Sequence, residues 1–285
     1  MASNRDYQWV GNQGWLQGYA NLSRKENYLW WRTSRWWVQI LIWFLIANGI
    51  LLMVIGVAPS MDRSSSAEDG AQPAQSTSQA QQPLDLYGLS VFLKMAGITL
   101  AIGVVVLGQD ALITEKQSGT AAWVLSKPVS RAALILSKVA AYALGILITM
   151  VVAQGIAAYL IIYFITGSAL PVFPFMGAMG MLFVSLVFWL ALSILLGALS
   201  NKRGLVIGVP LVLILGFSLF VEILPWIGDV MPWNLTSAIS PARPAMALAL
   251  VTGQPLPTLM PLIGSLAWCL ALIAIAIWRF QKEEF

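Results

Sequence analysis

Six apolar runs divide this chain, at residues 38–58, 87–107, 139–165, 174–199, 205–224 and 259–278. About 20 apolar residues in a helix cross the hydrocarbon core of a bilayer. A backbone inside hydrocarbon must pair its own N–H and C=O groups, and runs of this length do so as helices. The expected fold is therefore an all-α membrane protein, a single transmembrane domain over residues 1–285 with six transmembrane helices. Composition agrees, because only 10% of the residues are charged, against about 25% in soluble domains.

The segments between the runs carry the charge. Residues 1–35 are polar and aromatic, a leader too long for a signal peptide, and a span-length run follows it. Within this region residues 16–37 mix Trp and Tyr with Lys and Arg. The pattern suits an N-terminal interfacial helix, or an ordinary aromatic belt ahead of the first span. Residues 59–82 are rich in Ser, Gln, Ala and Pro and read as a flexible outer loop. Between spans 2 and 3, residues 108–138 form the longest polar interruption in the middle of the chain. Gly119-Thr120 and Lys127-Pro128 punctuate it, so it reads as short helical pieces separated by a break. Prolines 225, 232, 241, 244, 255 and 257 interrupt the stretch before the last run, where short outer helices are expected.

Orientation follows from the cations. Of the 16 Lys and Arg residues, Arg63, Lys94 and Arg243 alone fall on the assigned outer pieces. The outer pieces also hold Asp62, Glu68, Asp69, Asp85, Glu222 and Asp229. Positive charge on the inner loops places both termini in the cytoplasm. Lys94 near the outer end of span 2 is long enough to snorkel.

Several chemistries are excluded. The chain has no histidine and one cysteine, Cys269, so an internal disulfide and a Cys/His metal site are impossible. No metal site is expected. The phosphate-binding pattern G-x-x-x-x-G-K-[ST] does not occur, and neither does G-x-S-x-G. Carboxylate pairs at mid-membrane depth, usual in ion-coupled carriers, are also missing. Asn48, Gln154 and Glu222 are the candidates to line a path. For the two amides an interhelical hydrogen bond is the plainer reading, and for Glu222 a position at the wet end of a helix. Small residues at four-residue spacing, such as Gly204 with Gly208, are a packing signal.

Glu115, Gly119-Thr120, the run Leu125-Ser126-Lys127-Pro128-Val129-Ser130-Arg131 and then Lys138 at the start of a span resemble the cytoplasmic loop of the ABC type-2 permease family. Arg24-Lys25-Glu26 ahead of span 1 resembles the basic, glutamate-bearing interfacial helix with which members often open. The resemblance covers nearly the whole chain. It implies the transmembrane subunit of an ABC exporter in a prokaryotic inner or plasma membrane. It further implies a cytoplasmic coupling helix between spans 2 and 3, with Glu115, Gly119, Thr120, Lys127, Pro128 and Arg131 contacting an ATPase. Two copies of a separate P-loop ATPase would bind ATP and Mg. A second permease subunit, identical or related, would pair with this one, with membrane lipid around both and no nucleic-acid partner. No cofactor is expected in this chain. Two other readings stay open: a subunit that passes mechanical work to an outer partner without a solute path, and an ATP-independent carrier.

Overall fold

The computed structural model describes residues 14–57, 83–118, 120, 129–240, 243–256 and 258–282. The 59–82 loop, and Gly119, Lys127 and Pro128 of the 108–138 loop, lie outside the described residues. Helix α1 covers Tyr19–Trp31. Long helices follow as α2 (Trp36–Val57), α3 (Leu84–Gln117), α4 (Arg131–Thr166) and α5 (Val172–Leu199). Next come α6 (Arg203–Leu215) and α7 (Phe217–Ile223), bent by 64° at their junction. A 3-10 turn (Pro225–Asp229), α8 (Trp233–Thr236) and α9 (Met246–Val251) lead to α10 (Met260–Gln281). Among the described residues the fold is helical and has no β-strand. Five helices are long and apolar enough to cross a membrane, six when the bent pair counts as one span.

The bundle is apolar both inside and outside. Helix α5 runs through its middle and buries Leu182, Leu186, Trp189, Leu190 and Ile194. On the outer surface Leu45, Phe164, Phe173 and Leu270 are among the most exposed large side chains. Such a surface suits lipid rather than water, because soluble monomers rarely expose broad apolar patches.

Capping fixes both ends of α4. The Ser130 hydroxyl accepts from the Ala133 N–H at 3.0 Å and starts α4, as an N-cap oxygen should. Gly167, at φ 71°, ends the same helix in the left-handed conformation that glycine adopts without penalty. Gln17, Gln117, Ser130, Asn201 and Gln281 gather at one end of the bundle. Ser130 N–H donates to Gln17 O, the Gln117 amide to Asn201 O, and Arg131 to Gln281 O. The chain thus leaves this end at α2, α4 and α6 and returns to it with α3, α5 and α10. The stretch from Arg203 to Leu259 makes the fifth traverse in pieces. We call this the basic end.

Helix ends differ from the expected span limits at four places. The helix that carries span 2 does not stop at residue 107, because α3 continues unbroken to Gln117. The helix that carries span 3 begins at Arg131, ahead of residue 139. In both cases polarity marks where hydrocarbon ends, and Ala111, Leu112, Glu115, Lys116 and Gln117 still favour helix. Span 5 (205–224) is not one rod but bends at Gly216. A Cβ there would lie 2.7 Å from Val212 O, so only glycine fits the tight junction, and Pro210 removes one helical N–H. The 16–37 helix ends at Trp31, and Trp36 and Trp37 belong to α2.

Candidate functional site: the charged extension at the basic end

At a rise of 1.5 Å per residue, α3 and α4 are about 50 Å long, roughly 20 Å more than a hydrocarbon core requires. The surplus of α3 begins at Asp110, where the sequence turns polar, and the first turns of α4 lie beside it, with Lys138 Nζ 3.0 Å from Glu115 Oε2; we call this part the projection. Helix α1 packs against the projection. Its contacts advance in step with α4: Gly18 meets Val129, Glu26 meets Lys138, and Trp30 meets Tyr142 and Gly145. Gly18 has φ 80°, and a Cβ on it would come 2.9 Å from Val129. A Cβ on Gly145 would come 2.9 Å from the Trp30 ring, so this glycine lets α1 approach α4 closely. The Trp30 and Tyr142 rings meet edge to face at 5.5 Å, a favoured aromatic arrangement. Leu22, Glu26 and Trp30 form the buried face of α1, while Arg24, Lys25, Tyr28 and Leu29 remain exposed.

Four charges join the three helices. Lys138 Nζ lies 3.1 Å from Glu26 Oε1 and 3.0 Å from Glu115 Oε2. Lys25 Nζ lies 3.3 Å from Glu115 Oε1 and 4.0 Å from Glu26 Oε1. The Lys138 and Glu26 side chains are 4% and 7% exposed, Glu115 is 17% exposed, and Lys25 closes the cluster from the rim at 43%. Two cations face two anions, so the set is neutral. Buried charge persists only when it is paired in this way.

Beside this cluster a cavity of about 570 Å³ opens between α1, α2, α3, α4 and α6. Glu26, Trp30, Lys138 and Tyr142, all nearly buried, form its floor. Its mouth carries Asp110, Thr114 and Arg203, which are exposed. Arg203 Nη2 lies 3.7 Å from Asp110 Oδ1 and 3.5 Å from the Thr114 hydroxyl, to which it donates.

The candidate residues separate into groups. Glu115, Lys25 and Glu26 come together in the ion cluster, and Glu115 is ion-paired inside the chain with Lys25 and Lys138. Arg131 donates to Phe280 O at 3.2 Å and to Gln281 O at 2.7 Å. It thereby covers the last carbonyls of α10, where a cation is favourable. The Thr120 hydroxyl lies 2.8 Å from the Ser118 hydroxyl, and Arg24 is exposed. Asn48 and Gln154 are fully buried and bonded to each other, Asn48 Nδ2 donating to Gln154 Oε1 at 2.8 Å. Gln154 Nε2 also donates to Ile40 O and Thr149 O at 3.1 Å each. This amide pair links α2 to α4 beside wide π turns at Phe44–Asn48 and Leu147–Val152. Glu222 is exposed on α7 and belongs to neither group.

Sequence reasoning passed over the buried status of Lys138, the cap at Ser130, and the Asp110–Arg203 mouth. The signal for the first was present: Lys138 follows Leu134, Ile135 and Leu136 and precedes Val139 and Ala140, an apolar setting that obliges a counter-ion. Residues 20–285 match the family described as ABC-2 family transporter protein. The curated proteins contain no match to this chain. With nearly its whole length matched, and with a lipid-suited bundle of traversing helices, the chain belongs to the ABC-2 transporter family and is an integral membrane protein of the permease type.

Proposed function

We propose that this chain is the membrane-spanning subunit of an ATP-driven exporter, acting as one transmembrane domain over residues 1–285. Family membership implies partnership with an ABC ATPase subunit. Two ATPase copies, holding ATP and Mg, would dock at the basic end; its surplus of Lys and Arg supports a cytoplasmic position for it and for both termini. A second permease subunit, identical or related, would complete the path. The observation that carries the reading is the ion-paired extension of α1, α3 and α4. Its members are cross-braced by buried charge, so a displacement at the 118–130 tip would pass into spans 2 and 3 together. In this reading Glu115 acts inside the extension as a positioning residue, and the tip itself, with Gly119, Thr120, Lys127 and Pro128, meets the ATPase.

The test is copurification of the full chain with its ATPase, scoring ATPase per permease and the activity of the complex. Gly119→Val is expected to lower both and to leave the chain inserted, while Glu68→Ala in the 59–82 loop leaves both unchanged. The purified chain alone is expected to hydrolyse no ATP. Robust hydrolysis by the chain alone, or wild-type docking and activity in Gly119→Val, overturns the proposal.

A further inference from the structure

The geometry points to the cavity at the basic end as a binding site for the zwitterionic head group of a phospholipid that carries a primary amine. Its volume of about 570 Å³ lies within the roughly 300–1,000 Å³ of ordinary ligand pockets. Its polarity is graded. Trp30, Tyr142, Leu29 and Leu107 supply apolar wall, and Asp110, Glu115 and Arg203 supply charge. The grading coincides with the water–hydrocarbon boundary of α3, where the apolar run ends at Leu107 and Asp110 opens the polar segment. Below that level Ile42 and Leu45 on α2 and Val106 on α3 are exposed and apolar, a surface along which acyl chains would lie. A soluble ligand would leave that outer apolar surface unused, whereas an amphiphile uses both the cavity and the surface.

The mouth selects the head group. Asp110 and Arg203 are 54% and 51% exposed and 3.7 Å apart, a loose pair of the kind that contributes little by itself. A zwitterion exchanges that single long contact for two shorter ones. Its phosphate takes Arg203, whose guanidinium suits phosphate oxygens, and its ammonium takes Asp110. The deeper cation does not compete for the phosphate, because Lys138 is already held between Glu26 and Glu115. A primary ammonium donates hydrogen bonds to carboxylate, and a trimethylated one cannot. An anionic head group would gain Arg203 but face Asp110 without a cation to offer it.

This inference rests on the membrane placement of the basic end and not on ATP coupling, so the experiment omits the ATPase. The purified full chain is equilibrated in micelles doped with equal amounts of phosphatidylethanolamine, phosphatidylcholine and phosphatidylglycerol. Lipid retained per protein is then measured after dilution. Wild type is expected to retain phosphatidylethanolamine preferentially. Asp110→Asn is expected to reduce that retention about tenfold, the scale of one charge-assisted hydrogen bond, and Arg203→Gln to reduce it similarly with Arg203→Lys partly restoring it. Thr114→Trp, at an exposed rim position, is expected to fill the mouth and abolish the preference in a protein that stays monodisperse. Arg243→Gln, which breaks the Asp229–Arg243 pair elsewhere, should change nothing. Equal retention of the three lipids, a preference for the choline or glycerol head group, or undiminished retention in Thr114→Trp overturns the inference. A chain that binds the lipid but fails to recruit ATPase would sink the proposed function and leave the site standing.

Discussion

Replacing Lys138 by methionine tests the ion cluster with little change in side-chain volume. The substitution leaves Glu26 and Glu115 facing the same space, with Lys25 as the remaining cation. Breaking a buried ion pair by removing one partner costs about 3–5 kcal/mol. The low end applies here, because Lys25 lies 3.3 Å from Glu115 and 4.0 Å from Glu26, although an exposed partner of this kind returns only about 0–1 kcal/mol. We expect Lys138→Met to lose about 3 kcal/mol of folding free energy, measured by unfolding in mixed micelles of mild detergent and SDS. The sign of a second substitution is the sharper test. Glu26→Gln destabilises wild type, because it strips Lys138 of one partner. It should stabilise Lys138→Met, because it removes an uncompensated buried carboxylate. The coupling in this double-mutant cycle should reach about 2 kcal/mol. If Glu26→Gln lowers stability equally in both backgrounds, or Lys138→Met lies within about 0.5 kcal/mol of wild type as an ordinary surface change would, the cluster is not the brace described.

The Asn48–Gln154 pair gives a second cycle: Gln154→Leu should cost about 1–3 kcal/mol by stranding Asn48, and Asn48→Leu added to it should recover much of the loss, read in the same unfolding assay. Should Asn48→Leu abolish transport without any loss of stability, the amides would belong to a path after all. Gly103 carries no side chain because the Trp43 indole fills the space its Cβ would take. Gly103→Ala should cost about 1–3 kcal/mol through overpacking, and Trp43→Leu in that background should relieve it.

The spans were legible because a long apolar run admits few structures. What hydropathy could not reveal was where a helix ignores the end of the membrane. Residues 108–117 read as a short helical piece apart from span 2 because they turn polar, yet nothing in them breaks a helix, and α3 runs through. The bend at Gly216 was hidden for the opposite reason: its neighbours Leu215 and Phe217 are as apolar as the rest of the span, and the break lies in backbone geometry. The amide link was half visible, since a buried Gln and a buried Asn each need a partner, but nothing local said that they need each other. The ion cluster was least visible, because its members are 112 and 90 residues apart in the chain. The expectation for Glu115 was a contact with an ATPase, and within the chain Lys25 and Lys138 lie beside it.

These contacts bear on how docking and coupling would be divided along the chain. On the proposed reading, an ATPase cannot recruit Glu115 without displacing Lys25 and Lys138 from it. Arg131 is engaged with the end of α10, and Lys116 donates to Gly197 O at 3.3 Å. The charged groups flanking the tip are therefore spent on holding α3, α4, α5 and α10 in register. Recognition is left to the tip and to exposed cations such as Arg24. Affinity and transmission then reside in different residues. A change at Gly119 should weaken docking and leave the unfolding free energy near wild type. A change at Lys138 should lower the unfolding free energy and loosen α1 from α4, so that ATPase still bound would hydrolyse without moving spans 2 and 3 as one. The two variants would thus fail in opposite assays, which a tip and brace acting as a single contact surface could not produce.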